Sequence, residues 1–203
     1  HSGWNMIARS QSSGGVGFDA VWWSEWYHQL IGDAAQDPSK ARLLSNAGYG
    51  NKRPLNIGLF AGMMAGSPGK IVYHESHDES GNSENSARNL LVAVNNMRFD
   101  NTRPFGEARC RVVTGLTLLS AGTPMFFMGE EVGAIEPYRF GDFLEHREDF
   151  KALRDGSGAA MFRYYQALIR LRLENAALRS PFVDIVKVHN QHRLLGFRRW
   201  WNN

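Results

Sequence analysis

The sequence predicts an α/β fold built on a parallel sheet, and three observations carry that expectation. Short apolar runs alternate with amphipathic stretches of helical spacing in the order strand, helix, strand, helix, strand, helix, the pattern of parallel strands joined by helical crossovers. The 203 residues are 43% hydrophobic and 12% aromatic, enough to bury a substantial core. Two strand candidates also run directly into carboxylate-rich clusters, at the strand end where parallel barrels build their sites.

Taken in order, Val16 to Trp23 is an apolar and aromatic run entered through Gly14-Gly15 and is read as a buried strand. Ser24 opens a helix, with Trp23, Trp26, Tyr27, Leu30 and Ile31 at helical spacing. A second helix runs from Pro54 through Leu59, Phe60, Met63 and Met64 and stops at the Gly66 to Gly69 turn. Lys70 to His74 is the next strand, followed by helices over Asn85 to Met97 and Glu107 to Ala121, the latter ended by Gly122. Pro124 to Met128 is a short apolar strand leading into Gly129-Glu130-Glu131, and Ala159 to Arg179 is the longest helical pattern. From Val183 the period changes to alternation, with Ile185, Val188 and Leu194 to Phe197 reading as a β-hairpin of a different structural class. Trp4 to Ala8 is read as the tail of a fourth parallel strand. An eight-stranded α/β barrel takes about 250 residues, so the chain is long enough for about half of one.

Composition removes several classes of function. The net charge is +3 with no Lys/Arg-rich run, so a nucleic-acid arm is not expected. No apolar run reaches the roughly 18 residues of a membrane span, and the start His1-Ser2-Gly3-Trp4-Asn5 is not a signal peptide. That start is expected of a fragment or a processed chain. The lone Cys110 permits neither an internal disulfide nor a cysteine-built zinc site, and beside Val112 and Val113 it reads as a packed thiol.

Residues 74 to 79, His-Glu-Ser-His-Asp-Glu, are the densest titratable cluster. Consecutive Ser76, His77 and Asp78 cannot align as nucleophile, base and orienter. His74 and His77 lie three apart on a strand, a poor match to the helical HExxH metal motif. The remaining choices are a solvated loop, or a strand end delivering His77 and Asp78 to the rim of a barrel. Glu130 and Glu131 follow their own strand in the same manner, with helix capping or an Arg partner as the structural alternative.

Three blocks in this order, G-G-V-G-F-D-A-V-W-W (14 to 23), V-Y-H-E-S-H-D-E (72 to 79) and A-G-T-P-M-F-F-M-G-E-E (121 to 131), resemble the second half of the catalytic barrel in the alpha-amylase superfamily, glycoside hydrolase family 13. Within it they look most like the 1,4-α-glucan branching enzymes and related transglycosylases. The resemblance implies a partial (β/α)8 TIM barrel, about strands 5/6 to 8, over residues 1 to 180, and the truncated start of an all-β C-terminal domain over 181 to 203. It implies that Asp78 is the catalytic carboxylate that stabilises the oxocarbenium-like transition state. His77 and Glu79 would bind substrate beside it, and Phe18, Asp19 and Trp22 would line or support the cleft. Trp23 is read as core packing. The implied partner is an α-glucan, with no metal, no cofactor, no nucleic acid and no membrane, and the implied compartment is the cytoplasm. A hydrolase or trehalose-forming enzyme of the same family, or a non-catalytic glucan-binding or assembly module, is the alternative.

The departures from that family are as informative as the matches. Retaining glycoside chemistry uses two carboxyl groups about 5 Å apart as nucleophile and acid/base. The family places them in a G-x-R-x-D block and a Glu block on its fourth and fifth strands, and neither stands in place here. Arg98-Phe99-Asp100 mimics the first but follows Ser76-His77-Asp78, which is the wrong order. The chain is expected to begin at or just after the fifth strand, and to self-associate or require the other half of its barrel, since unpaired strand edges invite partners. The purified 203-residue chain is therefore predicted to turn over no amylose. Measured turnover that disappears in Asp78→Asn would contradict this.

Overall fold

The computed structural model describes residues 4–32, 37–47, 53–83, 86–95 and 101–202. Along the chain these form α1 (Trp4–Ile7), β1 (Val21–Trp22), α2 (Ser24–Leu30), α3 (Leu43–Ala47), α4 (Ile57–Ala65), β2 (Lys70–Val72), α5 (Asn89–Val92) and α6 (Arg103–Leu118). There follow β3 (Thr123–Pro124), α7 (Phe143–His146), α8 (Phe150–Asp155), α9 (Ala159–Glu174), α10 (Ala176–Arg179), β4 (Val183–His189) and β5 (Leu194–Arg199).

The three strands expected to be parallel neighbours are so: β1 pairs β2 through Val21↔Lys70 and Trp22↔Ile71, and β2 pairs β3 through Ile71↔Thr123 and Val72↔Pro124. Each is shorter than its apolar run. Val16 to Ala20 does not extend β1, because the amides of Val16, Gly17 and Phe18 bond instead to the carbonyls of Met6, Arg9 and Ile7 at 2.8–3.0 Å. Gly14 and Gly17, at φ of 78° and 86°, turn the chain to make this possible, and Val16 and Phe18 are left exposed rather than buried. The same bonds correct the reading of Trp4 to Ala8 as strand: those carbonyls close a loop, and Trp4–Ile7 is a helical turn. Phe126 and Met128 likewise lie beyond β3 and face water. Of the helix expected over Asn85 to Met97, the described residues 86 to 95 hold a helix at Asn89–Val92, while Asn85, Asn96, Met97 and Arg98-Phe99-Asp100 fall outside the described residues. The last long pattern divides at Asn175, whose Oδ1 accepts the Ala177 amide at 3.0 Å and starts a new helical turn.

The core lies between the sheet and its helices. Trp26 is sealed from water, meets Phe60 edge-on at 4.9 Å and donates its indole N–H to Thr117 Oγ1 at 3.1 Å, which joins α2 to α4 and α6. Trp23 packs beside it, with the Lys70 ammonium 3.4 Å from its ring centre. Cys110 is buried in this layer, and burial pushes its thiol pKa up, as suits a packing residue. Gly106 allows α6 its close approach to α5, since a Cβ there would come within 2.8 Å of Leu90.

β4 and β5 form a separate antiparallel sheet. Asn190 in its turn accepts the amides of Leu55 and Gly58 at 3.1 and 3.0 Å, and Arg193 donates to Arg53 O at 2.8 Å. At its other end two arginines meet carbonyls at the end of α6 and on the loops beside it. Arg172 reaches those of Leu118, Ser120 and Gly122 at 2.7–2.8 Å. Arg199 reaches Leu119 at 2.7 Å and Phe182 at 2.8 Å, and also bonds to Ser120 and Ser180. Burial, and secondarily Arg172, lowers the Arg199 pKa to about 10, so it remains a cation at neutral pH and suits a helix C-terminus. Arg199→Ala should lower unfolding stability by about 1.5–3 kcal/mol, the range for hydrogen bonds to a charged group. Arg198→Ala, which removes an exposed 2.7 Å pair with Asp184 and a guanidinium 5.4 Å from the Trp200 ring centre, should cost about 1 kcal/mol. Equal urea midpoints for the two variants would deny Arg199 this role.

Candidate active site at the C-terminal edge of the parallel sheet

The cluster that follows β2 divides into a buried half and an exposed half. His74, Glu75 and Ser76 are 2%, 1% and 1% exposed, whereas the side chains of His77 and Asp78 are 46% and 55% exposed.

In the buried half, His74 Nε2 lies 2.7 Å from Glu130 Oε2. The same carboxylate oxygen accepts the Tyr165 hydroxyl at 2.9 Å, while Thr114 Oγ1 donates to Tyr165 at 3.0 Å. The other Glu130 oxygen accepts the Phe127 amide at 2.8 Å, and Glu131 accepts the Gly129 amide at 2.8 Å. Glu75 accepts the Asn89 amide at 3.0 Å and lies 3.4 Å from Arg88, which donates to Met128 O at 2.8 Å. Gly129, at φ 96°, is needed here because a Cβ would collide with the Arg88 guanidinium. A cavity of about 10 Å³ lies among His74, Glu75, Asn89, Thr114, Glu130 and Tyr165, about the room one water molecule needs. Desolvation raises the Glu75 pKa to about 8; Arg88 opposes the rise and Glu130 adds to it. Burial and the Glu130 charge hold the Tyr165 phenol well above its ordinary value.

The exposed half forms a rim. His77 Nε2 is 3.5 Å from Asp78 Oδ1, and its ring stands between Trp22 and Phe140, each with its centroid 5.8 Å away. Trp22 also leans on buried Tyr73 at 5.2 Å. Ser76 Oγ donates to Glu79 and accepts the Asp78 amide at 3.2 Å, so it orients the turn and does not meet His77 as a nucleophile would. An exposed carboxylate and imidazole beside open aromatic faces suit a neutral ligand that offers hydroxyls on its edge and C–H groups on its face.

Of the residues expected to act together, the structure joins Trp22, His77 and Asp78 at one edge and sets Glu79, half-buried, beneath them. Phe18 and Asp19 are exposed on the chain entering β1, at the opposite end of the strands. His74 and His77 diverge, one into the core and one to the rim. Glu130 finds a histidine rather than an arginine. Sequence reasoning singled out none of Arg88, Phe140 and Tyr165 for the site. An aromatic residue in a loop flanked by Pro137 and Gly141 was the available signal for Phe140.

No family model matches the chain. The 1,4-alpha-glucan branching enzyme GlgB of Lactobacillus acidophilus is 26% identical over 183 residues, which is 88% of this chain and 25% of that protein. The enzyme of the same name from Fusobacterium nucleatum subsp. nucleatum is 26% identical over 178 residues, 87% of this chain and 25% of that protein. The chain thus spans about a quarter of the length of the curated relatives it matches. In fold it is similar to the pullulanase from Bacillus acidopullulyticus, with a TM-score of 0.52 and 18% identity over 85% of this chain and 22% of that one.

The buried half has a pH consequence. Because the folded Glu75 pKa lies above its unfolded value, the folded state holds the proton more tightly, and stability falls as pH rises from about 4.5 to about 8. Urea midpoints should be higher at pH 5 than at pH 8.5, and Glu75→Gln should flatten that difference. An unchanged slope in the variant would assign the dependence to another group.

Proposed function

We propose that the chain forms the C-terminal part of the catalytic domain of an alpha-amylase-family enzyme acting on α-glucans. In this reading residues 1 to 180 supply about strands 6 to 8 of a (β/α)8 barrel, the three parallel strands β1 to β3, and residues 181 to 203 open a C-terminal β-domain. The observation that carries the proposal is the exposure of Asp78 and His77 beside Trp22 at the C-terminal edge of three parallel strands. Support also comes from the similarity to two branching enzymes along most of the chain and from the likeness in fold to a pullulanase.

The chemistry follows from charge. As a glucosidic bond breaks, positive charge develops at the sugar ring, and a fixed carboxylate beside it lowers the barrier without itself exchanging a proton. Asp78 has that role. His77 donates to a sugar hydroxyl, and the Trp22 face receives the apolar side of the ring. The half-buried Glu79 acts through the turn that it holds with Ser76. Phe18 and Asp19 support the strand from its entry side. The nucleophile and the acid/base carboxylate come from sequence outside this chain, and carboxylate chemistry of this kind needs no metal or cofactor. Transfer of the cleaved chain to a sugar hydroxyl, the branching reaction, is the preferred outcome because both relatives bear that name.

The test uses the protein expressed with the sequence that precedes this segment in its reading frame. Asp78→Asn should reduce turnover of amylose by about a hundredfold or more with an unchanged melting temperature, while Asp19→Asn should retain activity near the parent level. Activity within twofold of the parent in Asp78→Asn would refute the assignment.

A further inference from the structure

We infer that Phe140 is a second sugar-stacking residue of this rim and that Asn82 is the positioning residue that holds it there. The inference rests on the α-glucan reading of the site. Phe140 lies on the loop that follows β3, and Asn82 on the turn that follows β2. The Asn82 amide uses both of its ends to staple the two together. Its Oδ1 accepts the Phe140 amide at 2.9 Å, and its Nδ2 donates to Tyr138 O at 2.9 Å and to His77 O. A bond from the Tyr138 amide to Ser80 O at 2.9 Å closes the junction.

The backbone at Phe140 is thus fixed, yet its ring is 62% exposed. A phenylalanine kept for packing would turn under its loop. This one stands with its centroid 5.8 Å from His77 and 5.9 Å from Tyr138, and Tyr138 is backed by Phe127 at 5.0 Å. Trp22, His77 and Phe140 therefore form a row of open rings that crosses from the end of β1 to the loop after β3, with Asp78 beside its centre. The row selects its ligand by elimination. An anion would meet the Asp78 charge, and a purely apolar molecule would strip water from Asp78 and His77 without replacing their hydrogen bonds. A neutral polyhydroxylated ring offers apolar C–H faces to the aromatics and hydroxyls to the polar pair.

The experiment titrates maltoheptaose into the protein expressed with the sequence that precedes this segment in its reading frame, and into its variants, with the NMR signal of the His77 ring as a ligand-independent report on its two aromatic neighbours. Phe140→Ala should weaken binding about three- to tenfold, the scale of an aromatic contact, and should shift the His77 signal without ligand. Phe140→Tyr should bind within twofold of the parent. Asn82→Ala should weaken binding as much as Phe140→Ala, and the double variant no further, because both changes remove one interaction. Parent-like binding by Phe140→Ala would overturn the inference and leave the α-glucan reading standing. Additive losses in the double variant would overturn the role of Asn82. No binding by this longer protein, without substitutions, at saturating sugar would overturn the α-glucan reading, and this inference with it.

Discussion

Glu130 and His74 lie 2.7 Å apart and are both closed to water, and the whole site end of the molecule is organised around that contact. A buried carboxylate is costly unless its oxygens are satisfied. Glu130 meets the demand with His74 and Tyr165 on one oxygen and the Phe127 amide on the other. Those partners come from the turn after β2, from α9 and from the turn after β3. Satisfying one charge therefore fixes three segments relative to each other. Replacing a buried pair by apolar groups is often harmless, but removing one partner strands the other. The contact thus acts chiefly as a constraint on geometry.

That constraint explains how strands of two or three paired residues hold a defined edge. Beyond the ends of β2 and β3 the backbone is organised by side chains: Glu130 takes the Phe127 amide, Glu131 that of Gly129, and Glu75 that of Asn89. Arg88 spans the gap from Glu75 to Met128 O. With main-chain direction settled from below, His77 and Asp78 emerge into water from a turn whose preceding residues cannot shift. Side chains that must meet a ligand in one orientation gain from such support.

The order of elements and the parallel pairing were legible because hydrophobic period and Gly/Pro punctuation are local signals. The terminal hairpin was legible for the same reason. Strand length was not, since an apolar run reports composition while a strand requires free amides. Those of Val16, Gly17 and Phe18 are bound to carbonyls near α1, and the apolar residues after β3 are partly in solvent. Within the cluster, residue types announced chemistry but not direction. His74 goes inward because Glu130, 56 positions later in the sequence, offers it a carboxylate, and no local pattern encodes that meeting. The rings of His77 and Trp22 lie 5.8 Å apart, whereas Phe18 and Asp19 are drawn to the entry end of the strands by the loop to α1.

One helix links the rim to the hairpin. Met161, Tyr165 and Leu168 are the buried residues of α9, and Arg172 continues their stripe at helical spacing. At one end of the stripe Tyr165 closes the Glu130 contact, and at the other Arg172 joins Arg199 on the carbonyls at the end of α6. α6 itself supplies Thr114 to the first group and Leu118 O to the second. The hairpin therefore cannot move relative to the sheet without either breaking the bonds of Arg199 or carrying α6 with it. A displaced α6 would carry Thr114 away from Tyr165, and the hydroxyl that Glu130 depends on would lose its own support. The packing of a structurally separate β-hairpin is in this way tied, through two helices and two arginines, to the orientation of the residues beneath Asp78.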